Sequence, residues 1–284
     1  MKMKTSLQAL AAQHQVVGVP EFSLAGTFAG APGGAAFRGY SSDPSLEELD
    51  YHGQCEQGGA VSCDFFDFVP LKQRGLLVSV GDVSRHGIGA GILLSGLKAF
   101  LRSTSAHEHE ELSELVGSLN RCICDLSPDN FHATLFSGLI DPVMCRLRYV
   151  SAGQEPALLF HPVDGRLRRL ERTGTVLGLT ARTQYQQHTI PLEPGDTLVA
   201  FTDGITEATD MAGREFREQG VRRVLEQYPE ASARELSSRI LEAVEAFRQC
   251  AHAADDRTVV VVRLLNAAAH PSVNRAEELA VAAA

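Results

Sequence analysis

Apolar and polar positions alternate with a period of two over much of this chain, and stretches of helical period interrupt the alternation. Strand patterns cover Tyr51 to Cys55, Phe65 to Leu71 and Leu76 to Val80, the last an unbroken LLVSV typical of a strand buried on both faces. From about Gly87 to Ser103 the apolar spacing turns helical, and Ser113 to Leu126 repeats it. HATLFSGLID and CRLRYVSAG read as two strands joined by an Asp-Pro turn, and ALLFHPVDGRLRRL as a hairpin around Asp164-Gly165. TVLGLTARTQYQQHTIPLEPGDTLVAFTDG alternates again and closes on the buried run LVAF. Two helices are predicted between Glu215 and Gln249, and Asp255-Asp256 leads into a last strand, TVVVVRLL. Hairpin strands with helices grouped between them predict an α+β sandwich rather than regular β-α-β alternation.

Outside this pattern lie residues 1–45, where FAGAPGGAAFRGYSSDPS reads as a flexible arm, and 267–284, an Ala-rich tail; residues 46–266 form the expected domain. With 284 residues and 44% hydrophobic content the chain can bury a real core. Its net charge of −9 offers no basic excess for nucleic acid or an anionic membrane surface. No apolar run approaches the ~18 residues of a spanning helix, and the N-terminal MKMKTSLQALAAQHQVVGVP lacks the core and cleavage site of a signal peptide, so a soluble cytoplasmic protein is expected. The 6 cysteines lack paired CxxC units and read as reduced thiols, with Cys122 and Cys124 packing on a helix.

Candidate chemistry lies in acids at strand ends. Asp82, Asp203 and Asp255 each stand where a buried strand meets a turn, and Asp64 precedes the aromatic strand FFDF. Each alone reads as a turn residue or helix cap rather than as a ligand. Gathered in one space they would raise one another's pKa, and a hard divalent cation with oxygen ligands relieves that repulsion. Two such ions, about 3.5–4 Å apart, activate water toward a phosphoryl centre. Gly87, Gly89 and Gly91 imitate a dinucleotide fingerprint, but they start too far beyond the strand, and the acid expected after a second strand is replaced by the polar HEHEE run. His107 and His109 in that run read as hydrated surface, and Asp67 as support for the loop or the outer metal shell.

Five segments in order, GGAVSCDFFDFVPL, LLVSVGDVSRHGIGAGILLS, FHATLFSGLIDPVMCRLRYVSAGQEPALL, LEPGDTLVAFTDGITEA and DDRTVVVVR, resemble the protein phosphatase 2C superfamily in its bacterial branch of SpoIIE-type and RsbU-like phosphatases. The resemblance covers about residues 50 to 265. It implies a four-layer α-β-β-α sandwich of two antiparallel sheets flanked by helices, and a phosphoserine or phosphothreonine phosphatase using two Mn²⁺ or Mg²⁺ ions. Carried over by motif, Asp64 matches the first metal aspartate, Asp82 the bridging aspartate with the Val83 carbonyl as a further ligand, Asp203 the T-D-G aspartate and Asp255 the first acid of D-D-x-T. Asp82 and Asp203 are then the residues acting through metal-activated water.

The chain departs from the family pattern at Cys63, usually glycine, at Ser84-Arg85-His86-Gly87 in place of S-G-[HK]-G, and at Ala152-Gly153-Gln154-Glu155-Pro156 in place of A-G-H-N-P. Arg85 reads either as a tolerated surface turn residue or as a cation meeting the substrate phosphate, and His86 as a loop-shaping residue or a proton donor. The implied substrate is a phosphorylated regulator such as a STAS-type anti-sigma-factor antagonist. An upstream regulatory partner or a homodimer would supply control, and the helix after Asp82 would transmit it. The competing reading is a phosphatase-like binding module that keeps the fold without the turnover.

Overall fold

The strand-forming alternation is realised as two antiparallel sheets in a computed structural model, which describes residues 37–38, 46–58, 62–71, 75–84, 88–105, 111–126, 131–249 and 255–265. Arg85, His86, His107, His109, the tail and most of the expected arm lie outside the described residues. The strands are β1 (Phe37–Arg38), β2 (Leu49–Glu56), β3 (Asp64–Pro70), β4 (Leu76–Val83), β5 (Ala133–Asp141), β6 (Arg146–Ala152), β7 (Ala157–His161), β8 (Arg166–Leu170), β9 (His188–Pro191), β10 (Thr197–Phe201) and β11 (Arg257–Leu264). One sheet has the order β1-β2-β11-β10-β7-β8, the other β3-β4-β5-β6-β9. The helices are α1 (Ile88–Ser105), α2 (Leu112–Leu126), α3 (Asp203–Thr206), α4 (Arg217–Gln227) and α5 (Ala233–Arg248).

Period-two alternation decides which layer each side chain enters. In β11, Val260 and Val262 join Tyr51, Phe66, Val80 and Phe136 in the core between the sheets. Their neighbours Val259 and Val261 face the other way and pack with Val221, Ile240 and Val244 of α4 and α5. On the second sheet, Leu77, Leu135 and Val150 turn outward to meet Leu97 and Leu101 of α1 and Val116 and Leu119 of α2. The result is the α-β-β-α sandwich. TVVVVRLL reads as continuously apolar because both faces of β11 are covered.

Three local expectations change. β4 continues through Gly81 and Asp82 to Val83, so Asp82 lies within a paired strand rather than in a turn after it. Gly81 makes this possible, since a Cβ there would strike the Thr134 carbonyl and the Phe65 ring. Residues 171–187 carry only isolated bridges, Ala152 with Gly174 and Ala133 with Leu177, because their polar alternation belongs to an exposed crossing rather than a strand. Phe37 and Arg38, within the expected arm, pair with Cys55 and Gln54 at the sheet edge. No disulfide joins the described cysteines.

Asp67 serves the fold rather than the strand-end acids. It is 3% exposed and accepts a forked pair from Arg102 of α1, Nε to Oδ2 at 2.7 Å and a terminal nitrogen to Oδ1 at 2.6 Å. This pins α1 across the outer face of β3. Arg102→Ala strands a buried carboxylate, at a cost of about 2–3 kcal/mol. Thermal unfolding followed by circular dichroism is expected to show a melting temperature roughly 5–10 °C lower; an unchanged melting temperature would refute the anchor.

Candidate metal centre

Antiparallel pairing brings the strand-end acids to one end of the molecule. In the second sheet the start of β3 lies beside the end of β4, so Asp64 stands opposite Asp82, and Asp82 in turn opposite Thr134 of β5. In the first sheet the end of β10 lies beside the start of β11, with Phe201 opposite Val259. Asp203, the first residue of α3, and Asp255, two positions before β11, therefore leave the same edge. Val83 buries its side chain under α1 and α2, and its backbone N–H donates to the Cys63 carbonyl at 3.1 Å.

The two sheet ends meet, since the Thr202 hydroxyl donates to Asp64 Oδ2 and Asp256 Oδ2 accepts the Cys63 N–H, and the electrostatics follow from it. The half-buried Asp82 has its pKa pushed up to about 6 by burial and then by the negative charges of Asp203 and Asp255, which belong to the other sheet. Asp203 is raised by burial and by Asp255. Burial lifts Asp64 well above the ordinary carboxylate range, although the Thr202 hydroxyl donates to its Oδ2 at 2.7 Å. Glu207, just beyond α3, is raised by burial and then by Asp203 and Glu155. Burial and then the charges of the surrounding aspartates push Cys63 up to about 12.

This donor set suits a hard divalent cation: carboxylate oxygens only, with negative charge accumulated on both sides of the gap. Among the described residues no three His, Cys, Asp or Glu side chains already close round one point. The acids stand in two tiers instead. Asp82, Asp203 and Asp255 are half-buried or exposed, and Asp64 and Asp256 lie beneath them at 6% and 5% exposure.

The lower tier contains residues that sequence reasoning passed over. Asp256 accepts the backbone N–H of Gly58 on Oδ1 at 2.7 Å, and those of Cys63 and Asp64 on Oδ2 at 2.7 and 3.5 Å. It holds the approach to β3 against the start of β11. Thr202 occupies the N-cap position of α3 but makes no capping bond with its side chain; its hydroxyl is committed to Asp64 and accepts the Thr258 N–H at 3.0 Å. Gly204 follows because a Cβ there would collide with the Asp256 carbonyl. The doubled aspartate and the T-D-G triplet are the signals of this tier, but neither tells which acid faces inward.

Comparison with known proteins now adds to this geometry. A family model described as stage II sporulation protein E (SpoIIE) matches residues 72–265. The phosphoserine phosphatase RsbU of Bacillus subtilis (strain 168) is 29% identical over 224 residues, 78% of this chain and 64% of RsbU, so the chain spans just under two thirds of that relative. The structure of the PP2C phosphatase domain of SpoIIE with a fragment of its regulatory domain, also from Bacillus subtilis, superposes with a TM-score of 0.67 at 19% identity, covering 76% of this chain and 62% of that one. The catalytic domain of the serine threonine protein phosphatase PstP in complex with 2 manganese ions superposes with a TM-score of 0.56 at 17% identity, covering 77% and 99%. These superpositions establish a PP2C-type fold.

Proposed function

This chain belongs to the SpoIIE family, and from that premise we propose that it is a metal-dependent phosphatase of phosphoserine or phosphothreonine in proteins. The observation that carries the reading is the meeting of Asp82 from one sheet with Asp203 and Asp255 from the other, the charges of Asp203 and Asp255 acting on Asp82 and that of Asp255 on Asp203. RsbU is named a phosphoserine phosphatase, and PstP holds manganese in the same fold. In this reading Asp82, Asp203, Asp255, Asp64 and the Val83 carbonyl, directly or through water, would hold two Mn²⁺ or Mg²⁺ ions. The bound ions supply Lewis acidity and an activated water. The chain's own strands and turns would hold the carboxylates, Asp64 buried, Asp82 and Asp203 half-buried and Asp255 exposed. Arg85 and His86 follow the cage in sequence and keep a substrate-facing or loop-shaping role in the proposal.

The substrate proposed is a phosphorylated regulator of the STAS-type anti-sigma-factor antagonist class, met in the cytoplasm, with an upstream partner or a homodimer as the source of control. Among the described residues no helix is long and apolar enough to cross a membrane. The test is hydrolysis of p-nitrophenyl phosphate with and without manganese, in the parent and in Asp203→Asn. The expected result is Mn²⁺-dependent turnover that EDTA removes and that the substitution lowers by about a hundredfold or more. Turnover indifferent to both would sink the reading. No turnover on this ester or on a phosphoprotein, with tight protein binding retained, would establish the binding module instead.

A further inference from the structure

An oriented chain of hydrogen bonds crosses between the sheets at the same end as the carboxylates. The backbone N–H of Asp82 donates to Thr134 Oγ1 at 3.2 Å, the Thr134 hydroxyl donates to Gln154 Oε1 at 2.6 Å, and Gln154 Nε2 donates to the Phe201 carbonyl at 2.8 Å. Asp82 and Thr134 belong to the second sheet, whereas Phe201 ends β10 of the first and stands two residues before Asp203. Gln154 is 2% exposed, so water does not compete for either end of its amide.

Chemistry fixes the direction of the chain. Thr134 has one proton, and giving it to Gln154 leaves its lone pairs for the Asp82 N–H. The Gln154 amide must then present oxygen to Thr134 and nitrogen to Phe201; reversed, it would set oxygen against a carbonyl. The backbone of Gln154 is braced as well. Its carbonyl accepts Arg172 Nε at 3.0 Å, and the Gly153 N–H donates to the Gly174 carbonyl at 3.0 Å. Gly153 holds φ +71°, and a Cβ there would collide with Val176. A side chain reaching from so fixed a base behaves as a strut.

Most of the remaining contact between the sheets is apolar and non-directional, and the other bonds that cross it, Thr202 to Asp64 and the Cys63 and Asp64 amides to Asp256, tie the start of β3 rather than Asp82. Apolar packing favours closeness but resists sliding poorly, whereas a hydrogen bond loses strength steeply with angle. We infer that Gln154 is a positioning residue: with Thr134 it sets the separation between Asp82 and Asp203, and so decides whether carboxylates from two sheets can hold one cation in common. This rests on the phosphatase reading above, and goes beyond it by assigning a role to a residue that touches neither metal nor substrate.

The experiment uses the full chain and Gln154→Ala, Thr134→Val and Gln154→His. Manganese affinity and stoichiometry are measured by calorimetry, magnetic coupling between bound ions by electron paramagnetic resonance, and kcat and KM on p-nitrophenyl phosphate. Gln154→Ala and Thr134→Val are expected to weaken manganese binding tenfold or more, diminish the coupled-ion signal, and lower kcat more than KM. Gln154→His, whose ring can accept at one nitrogen and donate at the other, is expected to recover a large part of both readouts. Thr134→Val keeps side-chain shape and carries the test if Gln154→Ala does not fold. Folded variants with lowered melting temperature but parental manganese affinity and coupling would overturn the strut. A parent that binds no manganese would instead overturn the phosphatase reading, and this inference with it.

Discussion

Asp82→Asn is expected to extinguish Mn²⁺-dependent hydrolysis, by about a thousandfold or more, while raising the melting temperature of the metal-free protein at pH 7. The first effect follows from removing a proposed metal ligand, because a catalytic metal supplies several kcal/mol of transition-state stabilisation and each ~1.4 kcal/mol is tenfold in rate. The second follows from the charge the same residue brings to an unfilled cage. The Asp82 carboxyl is lifted from 3.8 to about 6 in the folded protein. An acid lifted in this way contributes stability that is whole below its unfolded pKa and is lost as the pH climbs through its folded one. At pH 7 the metal-free parent therefore bears a repulsion that asparagine does not. Asp82 is partly solvated, so the penalty is discounted to about 1 kcal/mol, or roughly 2–4 °C in a domain of this size. Asp64 and Asp203 shift in the same direction and leave a residual pH dependence in the variant. Calorimetry across pH 4 to 8 checks this: the gap between variant and parent should close toward pH 4. Saturating manganese should then raise the parent's melting temperature well above its metal-free value and leave the variant little changed. Equal melting temperatures at pH 7, or equal stabilisation by manganese, would contradict the account.

What the residues disclosed in advance, and what they did not, divides along physical lines. TVVVVRLL, LLVSV and the Asp164-Gly165 hairpin were legible because their patterns depend on local period and turn chemistry. The continuation of β4 through Gly81-Asp82-Val83 was not, because glycine and aspartate are poor strand formers alone and the strand persists only through tertiary pairing with Asp64 and Thr134. The T-D-G turn announced Asp203 but not the short α3 that starts on it. Asp64 and Asp67 sit three apart on one strand and differ in their partners: Thr202 from the opposite sheet for one, Arg102 from α1 for the other. No composition or spacing distinguishes those fates. Gln154 stands out in the sequence only as a departure from A-G-H-N-P, and only the approach of β10 reveals its second partner.

The sharpest such case is Asp255-Asp256, two identical residues in succession whose substitutions are expected to do opposite things. Asp255 is exposed at the acid-rich end, and its charge acts on Asp82 and Asp203. Asp255→Asn should cost metal binding and turnover while sparing the fold. Asp256 is 5% exposed and serves as acceptor for the backbone amides of Gly58, Cys63 and Asp64. Asp256→Ala removes that acceptor and leaves amide groups in the interior without replacement, two of which made bonds of 2.7 Å. Bonds to a charged acceptor are worth about 1.5–3 kcal/mol each, so the loss comes to roughly 3–5 kcal/mol and a fall in melting temperature of about 10 °C or more. Damage would begin where the amides are, at the entry to β3, and hydrogen exchange should speed at Cys63 and Asp64 before it changes in α4 or α5. Asp256→Asn, which keeps one acceptor oxygen, should fall between parent and alanine variant. If Asp256→Ala unfolds at the parent's temperature while Asp255→Asn does not, the lower tier is no scaffold, and the separation of the two carboxylates into holding the chain and holding the cation would have to be abandoned.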